Sequence, residues 1–99
     1  MSDVTFTLSE PIEAHGDTLK ALKLRKPTPA DARAVKALPY QIAQDESVQI
    51  NPDAAAKYIE RLAGIPGSSV ASIDIVDFNN LCWTVAGFFM NSGSAKSSS

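Results

Sequence analysis

One histidine, one cysteine and a few paired carboxylates are all that the chain offers for chemistry. His15 has no second histidine to pair with, so His-His and His-Cys metal ligation are both absent. It falls in a predicted turn, His15-Gly16-Asp17, where an exposed side chain is the ordinary outcome. Cys82 has Phe78 and Val85 as helical neighbours. Apolar surroundings raise a thiol's pKa and leave it inert, so Cys82 reads as a core residue rather than a nucleophile. Asp45-Glu46, or Asp74 with Asp77, could divide acid and base roles. Asp74 and Asp77, however, fit the first turn of a helix, where carboxylates answer the helix dipole. Gly64 and Gly67 are isolated glycines around Pro66 and form no phosphate-binding loop. These residues supply no base, nucleophile and oxyanion donor together. The chain reads as non-enzymatic, with no cofactor.

The elements that carry these residues are marked by period and by turn chemistry. Val4, Phe6 and Leu8 alternate with Thr5, Thr7 and Ser9, the period-two pattern of a strand with one buried face. Glu10-Pro11 interrupts it, and Ile12-Glu13-Ala14 continues it past a bulge or bend. After the Gly16 turn, residues 18–25 supply a second strand with Thr18, Lys20, Leu22 and Leu24 on one face, completing a hairpin. Residues 19–24 are also compatible with the start of a helix. Thr28, Pro29 and Asp31 form a cap-proline-acid helix start, and Pro39 predicts an end near Leu38. Residues 40–49 read as a loop or a broken helix. Asn51-Pro52-Asp53 repeats the start signal for a helix carrying Ala55, Tyr58, Ile59 and Leu62 on one face and closed by Gly64. Pro66 opens a short turn containing Val70 and Ile73. Asp74 is placed to cap a last helix with Ile75, Phe78, Cys82, Val85 and Phe89 on one stripe. A hairpin alone is unstable in water. The expected fold class is therefore α+β: an N-terminal β-hairpin packed on a small cluster of three to four α-helices. Residues 1–90 form one domain, and residues 91–99, Ser-rich with nothing to bury, form a disordered tail.

Composition narrows the partners. Ninety-nine residues at 44% apolar content suffice for one core without metal or disulfide staples. A net charge of −2 and a pI near 5.2 give no electrostatic reason to expect nucleic acid or anionic membrane. No basic-then-apolar leader opens the sequence, and the longest apolar run, residues 85–90, is far short of a membrane span, so a cytoplasmic protein is expected. The helix, Gly64-Ile65-Pro66 turn and short segment after it superficially resemble a helix-turn-helix, which keeps a DNA-binding regulator as an alternative. Residues 67–78 nevertheless contain no Lys or Arg and include Asp74 and Asp77, which phosphates would repel. The basic residues gather elsewhere, at Lys20, Lys23, Arg25, Lys26, Arg33 and Lys36. Without interleaved aromatics they read as a solvated face, or as a contact for an acidic protein.

The last helix has more apolar circumference than one stripe explains. At about 100° per residue, Val76, Trp83, Gly87 and Met90 fall roughly opposite the Phe78-Cys82-Val85 side. Such a helix is either central in its domain or keeps a free face for a partner. Trp is enriched at binding hot spots, and Gly87 would admit a close backbone. These four residues are the candidate protein-binding face, for a client helix or for self-association; a generic homo-oligomerisation module is the other non-catalytic alternative.

The order of several segments resembles a known family. These are Phe6-Thr7-Leu8-Ser9-Glu10-Pro11-Ile12-Glu13-Ala14-His15-Gly16, then Leu24-Arg25-Lys26-Pro27-Thr28, then Arg61-Leu62-Ala63-Gly64-Ile65-Pro66, then Asp77-Phe78 through Val85-Ala86-Gly87-Phe88-Phe89. Together they resemble the tail assembly chaperones of Mu-like and related contractile-tailed phages. The likeness covers about residues 4–90 and is vague between 33 and 49. It implies a non-catalytic phage or prophage protein that binds the tape measure protein during tail morphogenesis. The tail tube protein and a further copy of the chain are additional candidate partners. It also implies action in the host cytoplasm and absence from the mature virion. Some members are also made in a longer, frameshifted form, and residues 90–99 fit a short product as well as they fit a plain tail. Trp83 lies outside the family pattern, so the binding face rests on helix periodicity alone.

Overall fold

The computed structural model describes residues 4–94, with side chains to position 90. Strands β1 (Val4–Ala14) and β2 (Asp17–Leu24) form an antiparallel hairpin, followed by helix α1 (Pro29–Val35). A second, very short hairpin of β3 (Tyr40–Ile42) and β4 (Val48–Ile50) comes next. Helices α2 (Pro52–Ala63), α3 (Gly67–Ala71) and α4 (Ile75–Ser94) complete the chain. The expected α+β class, with an N-terminal hairpin on four helices, is the observed one. Residues 91–94 of the Ser-rich tail continue the α4 backbone, and residues 95–99 lie outside the described residues.

The helix signals act as the sequence implies. Asp31 accepts the Thr28 amide at 2.8 Å to fix the start of α1, and Asn51 Oδ1 accepts Ala54 N at 3.3 Å at the start of α2. Gly64, at φ 69°, closes α2 by donating its amide to the Glu60 carbonyl at 2.9 Å. Two expectations are corrected. Helix α1 stops at Val35 rather than near Leu38, because Lys36 itself takes the left-handed conformation (φ 65°) and donates to the Ala32 carbonyl. Residues 40–49 are neither loop nor broken helix. They are the β3–β4 hairpin, turned by Glu46 at φ 70° and by Asp45 Oδ1 accepting Ser47 N at 3.0 Å.

Helix α2 occupies the middle, packing against β2, α1, α3 and α4. Leu8, Ile12, Leu22 and Leu24 from the hairpin meet Tyr58, Ile59 and Leu62 of α2 and Leu81 and Val85 of α4 in one core. Each such side chain contributes about 1.5–3 kcal/mol on full burial. Tyr58 is fully enclosed, donates its hydroxyl to the Ala37 carbonyl at 2.6 Å, and meets the Phe89 ring edge-on at 5.2 Å. That bond ties the segment after α1 to the α2–α4 interface.

Candidate protein-binding face

Position along α4 decides which of its side chains remain outside. The buried arc is Asp77, Leu81, Cys82, Val85 and Ala86, with Phe78, Phe88 and Phe89 half-buried against the core. Val76 and Trp83, seven residues apart, lie on the outer arc and are 62% and 45% exposed. Gly87 and Met90 continue that line and are half-buried. Ile75 departs from the buried stripe to which periodicity assigns it: it is 73% exposed. The reason is its place in the first turn. It sits at the edge of the arc, where α3 and β4 fall short of it and leave a hollow on either side.

The larger hollow, about 500 Å³, is lined by Ile50, Pro52, Ile75, Val76, Phe78, Asn79 and Cys82. The second, about 260 Å³, is lined by Ala56, Glu60, Gly67, Val70, Ala71, Ile73, Ile75 and Phe78. Ile75 and Phe78 form the ridge between them. The walls are mostly apolar, with Asn79 and Glu60 as polar side chains, and the cysteine among them is not poised for chemistry, since burial pushes the Cys82 thiol up to about 11. A surface of this composition is suited to taking up apolar groups.

Asp77 holds this region to the hairpin. Between the pairs Thr7–Ala21 and Ile12–Leu19, β1 advances five residues against two on β2, so three residues bulge from the ladder. Inside the bulge, Ser9 donates its amide to Asp77 Oδ2 at 2.9 Å and its hydroxyl to the same carboxylate at 3.0 Å, while Glu10 N approaches at 3.4 Å. Asp77 is buried at 4% exposure. The sequence suggests only a dipole-facing acid there, because its partners lie 67 and 68 residues away.

The family profile described as "Phage tail assembly chaperone proteins, E, or 41 or 14" matches residues 5–90. The chain belongs to the phage tail assembly chaperones. The matched stretch runs from the first strand through Met90 of α4 and so takes in both hollows and the Val76–Trp83 line. No curated protein and no solved structure matches the chaperone.

The six basic residues differ in their surroundings in the chaperone. Lys20, Lys23, Lys26, Arg33 and Lys36 are exposed. Arg25 is instead engaged with the buried carboxylate of Asp31 by two 2.8 Å hydrogen bonds, and Arg61 reaches the same carboxylate at 2.9 Å. The Arg25 guanidinium, with the Thr28 amide and Arg61, holds the Asp31 carboxyl well below the usual carboxylate range despite its burial. This cluster fastens the end of β2 to α1 and α2, so it serves the fold. His15 is exposed and lies 3.0 Å from the Gly64 carbonyl through Nε2. Among the described residues no group of three or more His, Cys, Asp or Glu is placed to hold a metal, and no helix is long and apolar enough to cross a membrane. The segment that suggests a reading helix is the five-residue α3, flanked by Asp74 and Asp77 and without a cation.

Proposed function

We propose that the chaperone binds the tape measure protein during tail assembly, without catalysis, through the apolar face at the start of α4. The observation that carries this reading is the exposure of Ile75 and Val76, which line the 500 Å³ hollow, together with that of Trp83 further along α4. A tape measure protein is long and helical and presents apolar surface until the tail tube encloses it. Apolar segments of that kind are stabilised on such a face by roughly 25 cal/mol per Å² removed from water. An interface of roughly 800 Å² per partner is of the ordinary size for a specific complex. Moderate affinity, repeated over many copies along the client, suits later displacement by the tail tube protein. The chaperone then acts in the host cytoplasm and leaves before the virion is complete. Self-association would use the same face and so compete with the client.

Co-purification with tape measure fragments tests the reading. Trp83→Ser and Ile75→Asp are expected to lose capture while keeping the far-ultraviolet circular dichroism of the parent, since both side chains are already solvent-facing. Undiminished capture by both variants refutes the assignment of the face. Failure of the parent to capture any fragment refutes the client.

A further inference from the structure

We infer that the occupant of the two hollows is an amphipathic helix carrying two apolar anchors followed by a basic residue, with Glu60 as the acceptor of that charge. This rests on the reading of the α4 face as a client site and deepens it by specifying the client's chemistry. One edge of the paired hollows is a single face of α2: Pro52 lines the larger hollow, and Ala56 and Glu60 line the smaller. These residues are spaced by four, so they lie along one side of the helix. Eight residues at about 1.5 Å each make that edge about 12 Å long. A client helix lying alongside it covers the same length with positions i, i+4 and i+8. Its first two positions fall on either side of the Ile75–Phe78 ridge, and its third falls at Glu60.

Charge decides what the third position carries. Among the described residues lining the two hollows, Glu60 is the only ionisable side chain apart from the inert Cys82 thiol. Its carboxylate lies over Gly67, where an added Cβ would meet Oε2 at 3.0 Å. It makes no ion pair among the described residues: Arg61 is held by Asp31, and Lys57, three residues earlier in α2, is exposed and unpaired with it. Lys57 lines neither hollow. A half-buried carboxylate at the end of an apolar trough favours a Lys or Arg and rejects an acid. The anchors precede the charge in a client helix that runs parallel to α2, and that is the direction inferred.

Two synthetic stapled helices of about 14 residues test the inference, both with Leu at i and i+4, one with Arg and the other with Glu at i+8. Binding to the full chain is read by fluorescence anisotropy. At low salt the Arg peptide should bind about threefold to fivefold more tightly than the Glu peptide, the range of an exposed to partly buried ion pair. Glu60→Gln should erase the preference, Glu60→Lys should invert it, and Ile75→Asp should abolish binding of both. Equal binding of the two peptides to the parent, or a preference that survives Glu60→Gln, overturns the inference. So does failure of both peptides to bind. The client reading is judged apart from this: if Ile75→Asp still blocks capture of tape measure fragments, that reading stands even when the Glu60 preference is absent.

Discussion

Replacing Asp77 with alanine should loosen the hairpin from α4, and the magnitude follows from the contacts it removes. The carboxylate accepts the Ser9 amide at 2.9 Å and the Ser9 hydroxyl at 3.0 Å, while the Glu10 contact, at 3.4 Å, is too long to count for much. A hydrogen bond to a charged group contributes about 1.5–3 kcal/mol net, and a neutral one about half that. Ser9 and Glu10 are exposed, so their freed amides can turn to water, and the full penalty of a buried orphan does not apply. The expected loss for Asp77→Ala is therefore about 2–3 kcal/mol, or a fall of about 10–20 °C in Tm for a domain of this size. Ser9→Ala removes only the hydroxyl, whose bond is shared between the two carboxylate oxygens and lies at an exposed residue, so the loss should fall below the charged range, at about 0.5–1.5 kcal/mol. Urea denaturation of the parent, both single variants and the double variant gives the coupling directly. The double variant should be little worse than Asp77→Ala alone, because Ser9 then has no acceptor. Additive losses, or a loss under about 0.5 kcal/mol for Asp77→Ala, would refute a bulge held by this carboxylate.

Other consequences are independent of the binding face. Asp31 titrates near 3.9 in an unfolded chain and well below that in the fold, so its stabilisation is complete above that range and is lost as pH falls through the folded value. Asp31→Asn should cost about 1–3 kcal/mol at pH 7, discounted because both arginines are about 40% exposed, and the gap between variant and parent should close in acid. A gap independent of pH down to 2 would contradict the ion cluster. Tyr58→Phe should cost about 1–2 kcal/mol by leaving the Ala37 carbonyl without its donor, measurable by the same denaturation series. Cys82, buried and with its thiol pushed up to about 11, should resist a disulfide reagent at pH 8 until guanidinium unfolds the chain. Labelling at free-cysteine rates in native buffer would contradict that burial.

What could be read from the sequence was whatever a local signal specifies. The β1–β2 hairpin follows from alternation and Gly16, and the starts of α1 and α2 follow from Thr28-Pro29 and Asn51-Pro52. The misreadings occur where a non-glycine residue does a glycine's work. Lys36 and Glu46 both adopt positive φ without a sequence mark, so the end of α1 and the turn of β3–β4 were hidden. The latter strands are three residues each, too short to show a period, and Ile42 faces solvent at 57%. The roles of Asp77 and Arg25 were hidden for a different reason. Asp77 meets a bulge at the other end of the chain, and Asp31 collects one arginine from just past β2 and another from α2. Periodicity did separate Val76 and Trp83 from the buried side of α4. It put Ile75 inside because spacing alone carries no information about where α3 and β4 end.

Trp83 is the only tryptophan in the chain and stands on the outer side of α4, so its fluorescence reports on the face directly. Titration with tryptophan-free tape measure fragments, read by emission wavelength and acrylamide quenching, is the most direct measurement. A saturable blue shift with loss of quenching is predicted as the indole leaves water. A complex that co-elutes in gel filtration while Trp83 emits and quenches as in the free protein would contradict binding through this face.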